Sequence, residues 1–139
     1  MVPSQMPQRW EPKQPARVLV AEDDPDMRGL MAWALRQDGY EVREVRDGAE
    51  ALVVLGTVDE SGKAGAPDLI VSDVRMPGLG GMEMLERLRR GSERIPVILV
   101  TAFGDWETHA RAARLSAKVL DKPFELEDLR KMVFDALEL

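Results

Sequence analysis

Residues Asp68–Leu85 read DLIVSDVRMPGLGGMEML, and this stretch decides the fold. Its opening, Asp68–Ser72 (DLIVS), carries a continuous apolar run, as a strand buried on both faces does. Asp73 ends that strand. Gly78–Gly81 (GLGG) then reads as a turn, and Met82, Leu85 and Leu88 recur at helical spacing. A buried strand, a turn and an amphipathic helix in succession make half of a β–α–β unit.

The same succession recurs on both sides of it. Arg17–Ala21 (RVLVA) and Pro96–Val100 (PVILV) are further continuous apolar strands, and Ala117–Leu120 is a short fifth. Tyr40–Val45 alternates polar and apolar residues, which suits an edge strand. Met27, Leu30, Met31, Ala34 and Leu35 stripe a first helix that Gly39 stops. Asp47, with Glu50 three residues on, starts a second in a capping-box arrangement, with Ala51, Val54, Leu55 and Val58 as its face. Asp105 caps a fourth that runs to about Leu115, and Leu126, Leu129, Val133 and Leu137 stripe the last. Five alternations of strand and helix predict an α/β fold: a doubly wound five-stranded parallel sheet with helices on both faces. Ligands of such a sheet bind beyond the carboxyl ends of its strands.

Length and composition agree with one domain. The chain has 139 residues, 45% of them apolar. Residues 1–16 hold four prolines and little apolar periodicity, so they read as a disordered leader, with the domain at 17–139. Asp59–Ala66 (DESGKAGA) reads as a solvated insertion. Cysteine is absent, which excludes disulfide scaffolds, thiolate metal sites and a cysteine nucleophile. The single histidine, His109, excludes His-rich zinc sites and leaves a Ser-His-Asp triad without support. The net charge of −6 makes nucleic acid a poor direct partner. No apolar run is long enough to span a membrane, and MVPSQMPQRW has neither the basic nor the apolar region of a secretory signal. The expectation is a cytoplasmic module whose chemistry comes from carboxylates, hydroxyls and cations.

Those groups collect at one edge of the expected sheet. Glu22, Asp23, Asp24 and Asp26 follow the first strand, Asp73 ends the third, Thr101 the fourth, and Lys122 follows the fifth. Crowded carboxylates at an open site favour magnesium, which binds through one or two of them plus phosphate. A carboxylate beside such a metal can act as a nucleophile on phosphorus, with Lys122 and Thr101 to stabilise developing charge. Asp24, followed by Pro25, reads instead as a helix N-cap, and Asp26 as first-turn charge. The GLGG turn lacks the Lys-Ser/Thr of a phosphate-binding loop. His109 reads as plain surface, Trp33 and Trp106 as packing, and the arginines around Arg87–Arg90 as the polar face of their helix.

EDDPDMR, DVRMPGLGGMEML, TAF and KPF, in this order and each at a strand end, resemble the receiver domain of bacterial two-component response regulators. The resemblance runs from Arg17 to Leu137. It implies a flavodoxin-like receiver fold in which Asp73 is the phosphoacceptor. Asp23 binds Mg2+ directly, Glu22 through water, and the Arg75 carbonyl adds a ligand. Thr101 bonds a phosphoryl oxygen, Lys122 pairs with the phosphate, and the Lys122–Pro123 bond is cis. The implied partners are a sensor histidine kinase or phosphotransfer protein and a downstream output domain or protein. The only catalysis implied is self-phosphorylation and autodephosphorylation. An unphosphorylated interaction module is the alternative; an aspartyl-phosphate phosphatase fits less, because Arg75 stands where its second aspartate belongs. TAFGDWET further resembles receivers of the NtrC type, which precede ATPase and DNA-binding domains. One departure stands out: Val119 occupies a position where many receivers carry an aromatic ring.

Overall fold

The computed structural model describes residues 14–56, 66–91, 94–102 and 106–137. The expected leader, the insertion, Val58 and Asp105 therefore fall wholly or mostly outside the described residues. Strands β1 (Arg17–Ala21), β2 (Glu41–Val45), β3 (Leu69–Asp73), β4 (Val97–Thr101) and β5 (Ala117–Asp121) alternate with five helices. These are α1 (Pro25–Gln37), α2 (Gly48–Leu55), α3 (Gly81–Arg90), α4 (Trp106–Arg114) and α5 (Leu126–Leu137). All pairings are parallel, and the sheet order is β2-β1-β3-β4-β5. The charged, alternating β2 is an edge, as its pattern predicts.

Alternation along each strand divides the core in two. Val18, Val20, Leu69, Val71, Ile98 and Val100 pack with Met31, Leu35, Leu129 and Val133 of α1 and α5. Leu19, Ala21, Ile70, Val97 and Leu99 face the opposite side, against α2 and α3. The central strands β3 and β4 are buried at every position, which is why their sequences read as unbroken apolar runs. Helix α4 is different: Ala112 is its only buried residue.

Three expectations about side chains need correction. Trp33 and Trp106 do not pack; they are 57% and 81% exposed. Met31, Ala34 and Leu35 take the sheet-facing positions of α1, and Trp33, two residues from Met31, is carried to the opposite face. His109 is not plain surface, because its Nε2 lies 3.1 Å from Asp121 Oδ2 and links α4 to β5. Glu50 does reach back at the start of α2, but it accepts the N–H of Arg46 (3.3 Å) while Asp47 caps Glu50 N–H (2.8 Å). The Asp47 half of the box is in place, and only the return contact of Glu50 falls one residue early.

Candidate functional site at the carboxyl edge of the sheet

The acidic turn grows out of β1. Glu22 still donates its N–H to the Val45 carbonyl (3.1 Å), and its own carbonyl accepts from the Arg28 guanidinium (2.8 Å). Asp24 then caps α1, accepting from the N–H groups of Asp26 and Met27 at 3.4 and 3.3 Å, with Pro25 at the first helical position. That cap turns the chain so that Asp24 N–H donates to Glu22 Oε2 (3.2 Å). The Asp24 carboxylate is thereby directed to the helix.

Asp73 closes β3 and is buried, with Oδ1 accepting the N–H of Arg75 (3.3 Å). Lys122 Nζ reaches across from the end of β5, 3.2 Å from Asp73 Oδ2 and 3.5 Å from Glu22 Oε1. Its backbone N–H donates to the Thr101 carbonyl (2.7 Å), which pins the ends of β4 and β5 together. Thr101 is itself buried, at the end of the strand that neighbours β3. Glu22, Asp23 and Asp73 each offer an oxygen within 4.8 Å of the others; Asp23 alone of the three is exposed. Arg75 and Asp23 line one open cavity on that rim. The Lys122–Pro123 peptide is cis. Glu22, Asp23, Asp73, Arg75, Thr101 and Lys122 thus share this edge, whereas Asp24 and Asp26 belong to the helix start.

Sequence reading missed two supports. Arg28 holds the Glu22 carbonyl and also lies 3.6 Å from Glu44, a role visible only once β2 is placed beside β1. Gly81 sits against the Asp73 backbone, closer than any side chain would allow.

Three carboxylates face one ammonium here. Glu22 is only 1% exposed. Burial, opposed by the Asp24 N–H and reinforced by the charge of Asp73, pushes its carboxyl up to about 7 from an ordinary 4.5. For Lys122, burial pulls the ammonium down, but Asp73 and Glu22 outweigh it and the net direction is up. An all-oxygen donor set with surplus negative charge fits a small hard divalent cation.

The Glu22 shift has a consequence for stability. Between about 4.5 and about 7 the native state holds a proton that the unfolded chain has released, so stability falls as pH rises through that window. In metal-free buffer the free energy of unfolding is expected to drop by on the order of 2 kcal/mol between pH 5 and pH 8. Glu22→Gln should flatten the profile. Denaturant titrations at several pH values check this, and a wild-type curve no steeper than that of Glu22→Gln contradicts it.

A family model for the response regulator receiver domain matches residues 18–134, and the chain belongs to that family. Regulatory protein AtoC of Escherichia coli is 32% identical over 124 residues, covering 88% of this chain and 25% of that protein. Transcriptional regulatory protein TcrA of Mycobacterium tuberculosis is 38% identical over 116 residues, covering 81% and 42%. The chain therefore spans a quarter to under half of the length of these relatives. Among solved structures, chemotaxis protein CheY4 of Vibrio cholerae superposes with a TM-score of 0.78 at 30% identity, over 89% of this chain and all of that one. No helix among the described residues is long and apolar enough to cross a membrane.

Proposed function

We propose that residues 17–139 form a cytoplasmic, phosphorylation-driven switch whose phosphoacceptor is Asp73. The donor is the phosphohistidine of a sensor kinase or phosphotransfer protein. A carboxylate oxygen of Asp73 attacks phosphorus, the phosphorus–nitrogen bond breaks, and its electron pair leaves with the donor imidazole. The observation that carries this reading is the convergence of Asp73 and Lys122 with the acidic pair at one edge of the sheet, where Thr101 ends the neighbouring strand.

Each residue has a defined task. Glu22, Asp23, Asp73 and the Arg75 carbonyl hold Mg2+, which when bound neutralises charge on the transferring group. Thr101 donates its hydroxyl to a phosphoryl oxygen. Lys122, already between Asp73 and Glu22, pairs with the phosphate as a point charge. The burial of Asp73 keeps bulk water from its back and favours an acyl phosphate that lasts long enough to be read.

A magnesium titration of the thermal midpoint tests the metal assignment. Wild type is expected to gain a few degrees at saturation, because a ligand that binds only the native state stabilises it. Asp23→Asn should lose most of that gain. Asp24→Asn should keep it with a nearly unchanged metal-free midpoint, because Asp24 caps α1 and asparagine caps a helix as well as aspartate does. The reverse pattern would mean that Asp24, and not Asp23, is the direct metal ligand.

Relay to an output domain or partner needs an element that can move. Val119 has no ring to rotate, and a β-branched side chain has few rotamers. Helix α4 buries only Ala112 and is otherwise clasped through Arg111–Glu86 (2.6 Å) and His109–Asp121. It should shift as a body against β5 and α5. Backbone chemical shifts with and without a stable phosphoryl mimic check this; silence from 106 to 121 would remove α4 as the reader.

A further inference from the structure

Four polar or charged residues are buried among the described residues: Glu22, Asp73, Thr101 and Ser72. The first three carry the chemistry of the phosphorylation edge. Ser72 is wholly buried, directly precedes Asp73, and stands outside the set that would hold metal and phosphate. It interrupts the aliphatic run Leu69-Ile70-Val71 on a strand buried at every position. By alternation it shares the face of Ile70, toward α2 and α3. Part of the demand here is steric: a Cβ on Gly81 would stand 2.8 Å from Ser72 Oγ, so the first turn of α3 comes down on this side chain. Alanine would meet that demand equally well. The hydroxyl must be explained by what it bonds, because burying one without a partner is costly.

Its partner is the Asp73 carbonyl oxygen, 3.0 Å away. A carbonyl only accepts, so the hydroxyl is the donor. The β1–β3 ladder ends at Ala21–Ser72, which leaves the Asp73 carbonyl beyond the last paired residue of β1. The N–H of the same peptide unit, that of Val74, donates to the Val100 carbonyl of β4 (2.9 Å). Both polar groups of the Asp73–Val74 peptide are therefore held, one by Ser72 and the other by β4. The next peptide supplies the Arg75 N–H that bonds Asp73 Oδ1 (3.3 Å), while Lys122 Nζ lies 3.2 Å from Oδ2. Without the Ser72 bond, the plane after Asp73 is held through its N–H alone. It can then pivot and carry the Arg75 N–H away from the carboxylate.

We infer that Ser72 is a positioning residue for phosphoryl transfer: its hydroxyl fixes the peptide that follows Asp73 and so holds the carboxylate against Lys122. The inference rests on Asp73 being the phosphoacceptor, and Ser72 acts only through it.

The test follows labelling of the full chain by acetyl phosphate at saturating magnesium, read by intact mass. Ser72→Ala removes the hydroxyl, and Ser72→Cys keeps a side chain of similar shape that is only a weak donor. Both are expected to label at least about fivefold more slowly than wild type, since a small misplacement of a reacting group costs a large factor in rate. Ile70→Val, which thins the same face of β3 two residues earlier, should label like wild type. A second readout needs no turnover. In unphosphorylated protein the 13C resonance of the Asp73 carboxyl carbon should move in Ser72→Ala and keep its wild-type position in Ile70→Val. Wild-type labelling by Ser72→Ala overturns the inference. So does a slow Ser72→Ala beside a wild-type Ser72→Cys, which would make volume the cause, or equal slowing by Ile70→Val, or an unmoved carboxyl resonance. Each of these results leaves the phosphoacceptor in place so long as Asp73→Asn fails to label; labelling of Asp73→Asn would remove that reading and this inference together.

Discussion

Asp73→Asn should abolish labelling by acetyl phosphate in the presence of magnesium. In wild type, intact-mass analysis should find one added phosphoryl group, and hydroxylamine should remove it, as an acyl phosphate requires. A small donor suffices because nucleophile, acidic pair and lysine already stand together: Lys122 Nζ is 3.2 Å from Asp73 Oδ2 and 3.5 Å from Glu22 Oε1. Asparagine keeps the shape of the side chain but removes the nucleophilic charge, so labelling should fall to background while the fold persists. The substitution also lifts one of the like charges that press on Glu22, and the variant should therefore be no less stable than wild type. Equal labelling of both proteins would place the nucleophile elsewhere, with Asp23 the remaining candidate that is exposed.

Much of this site is legible in the sequence because each of its residues ends, or directly follows, a strand whose apolar run is unmistakable. Once Arg17–Ala21, Leu69–Asp73, Val97–Thr101 and Ala117–Asp121 are strands of one parallel sheet, their carboxyl ends must share an edge. Asp24 is separable from Asp23 by its proline, since a cap before Pro25 commits its carboxylate to backbone N–H groups. What is not legible depends on neighbours far apart in the chain. His109 meets Asp121 and Arg89 meets the Leu115 carbonyl across 12 and 26 residues. Trp33 and Trp106 mislead because large aromatic residues are usually taken to pack. The helix phase set by Met31 and Leu35 turns Trp33 away from the sheet, and α4 buries nothing but Ala112.

Glycines show the same limit, and two of them lead to opposite expected results. Gly29 and Gly81 both lie in helices, and from the sequence alone each is a weak helix former. A Cβ on Gly29 meets nothing within 4 Å, so Gly29→Ala should leave stability unchanged or raise it by up to about 1 kcal/mol. A Cβ on Gly81 would stand 2.2 Å from the Asp73 carbonyl oxygen and 2.8 Å from Ser72 Oγ. The nearest obstacle is backbone at the end of a central strand, which no side-chain rotation can clear. Gly81 N–H also donates to the Val74 carbonyl (3.0 Å), so the first turn of α3 is bound to the very loop it would have to leave. Gly81→Ala is therefore expected to cost about 3 kcal/mol, the upper end of overpacking, and to move Asp73 relative to Lys122. Paired denaturant titrations of the two variants measure the first effect, and phosphoryl labelling measures the second. If Gly81→Ala unfolded like wild type and labelled at the wild-type rate, α3 could withdraw from β3 freely, and the closeness of that contact would not be what holds Asp73 in place.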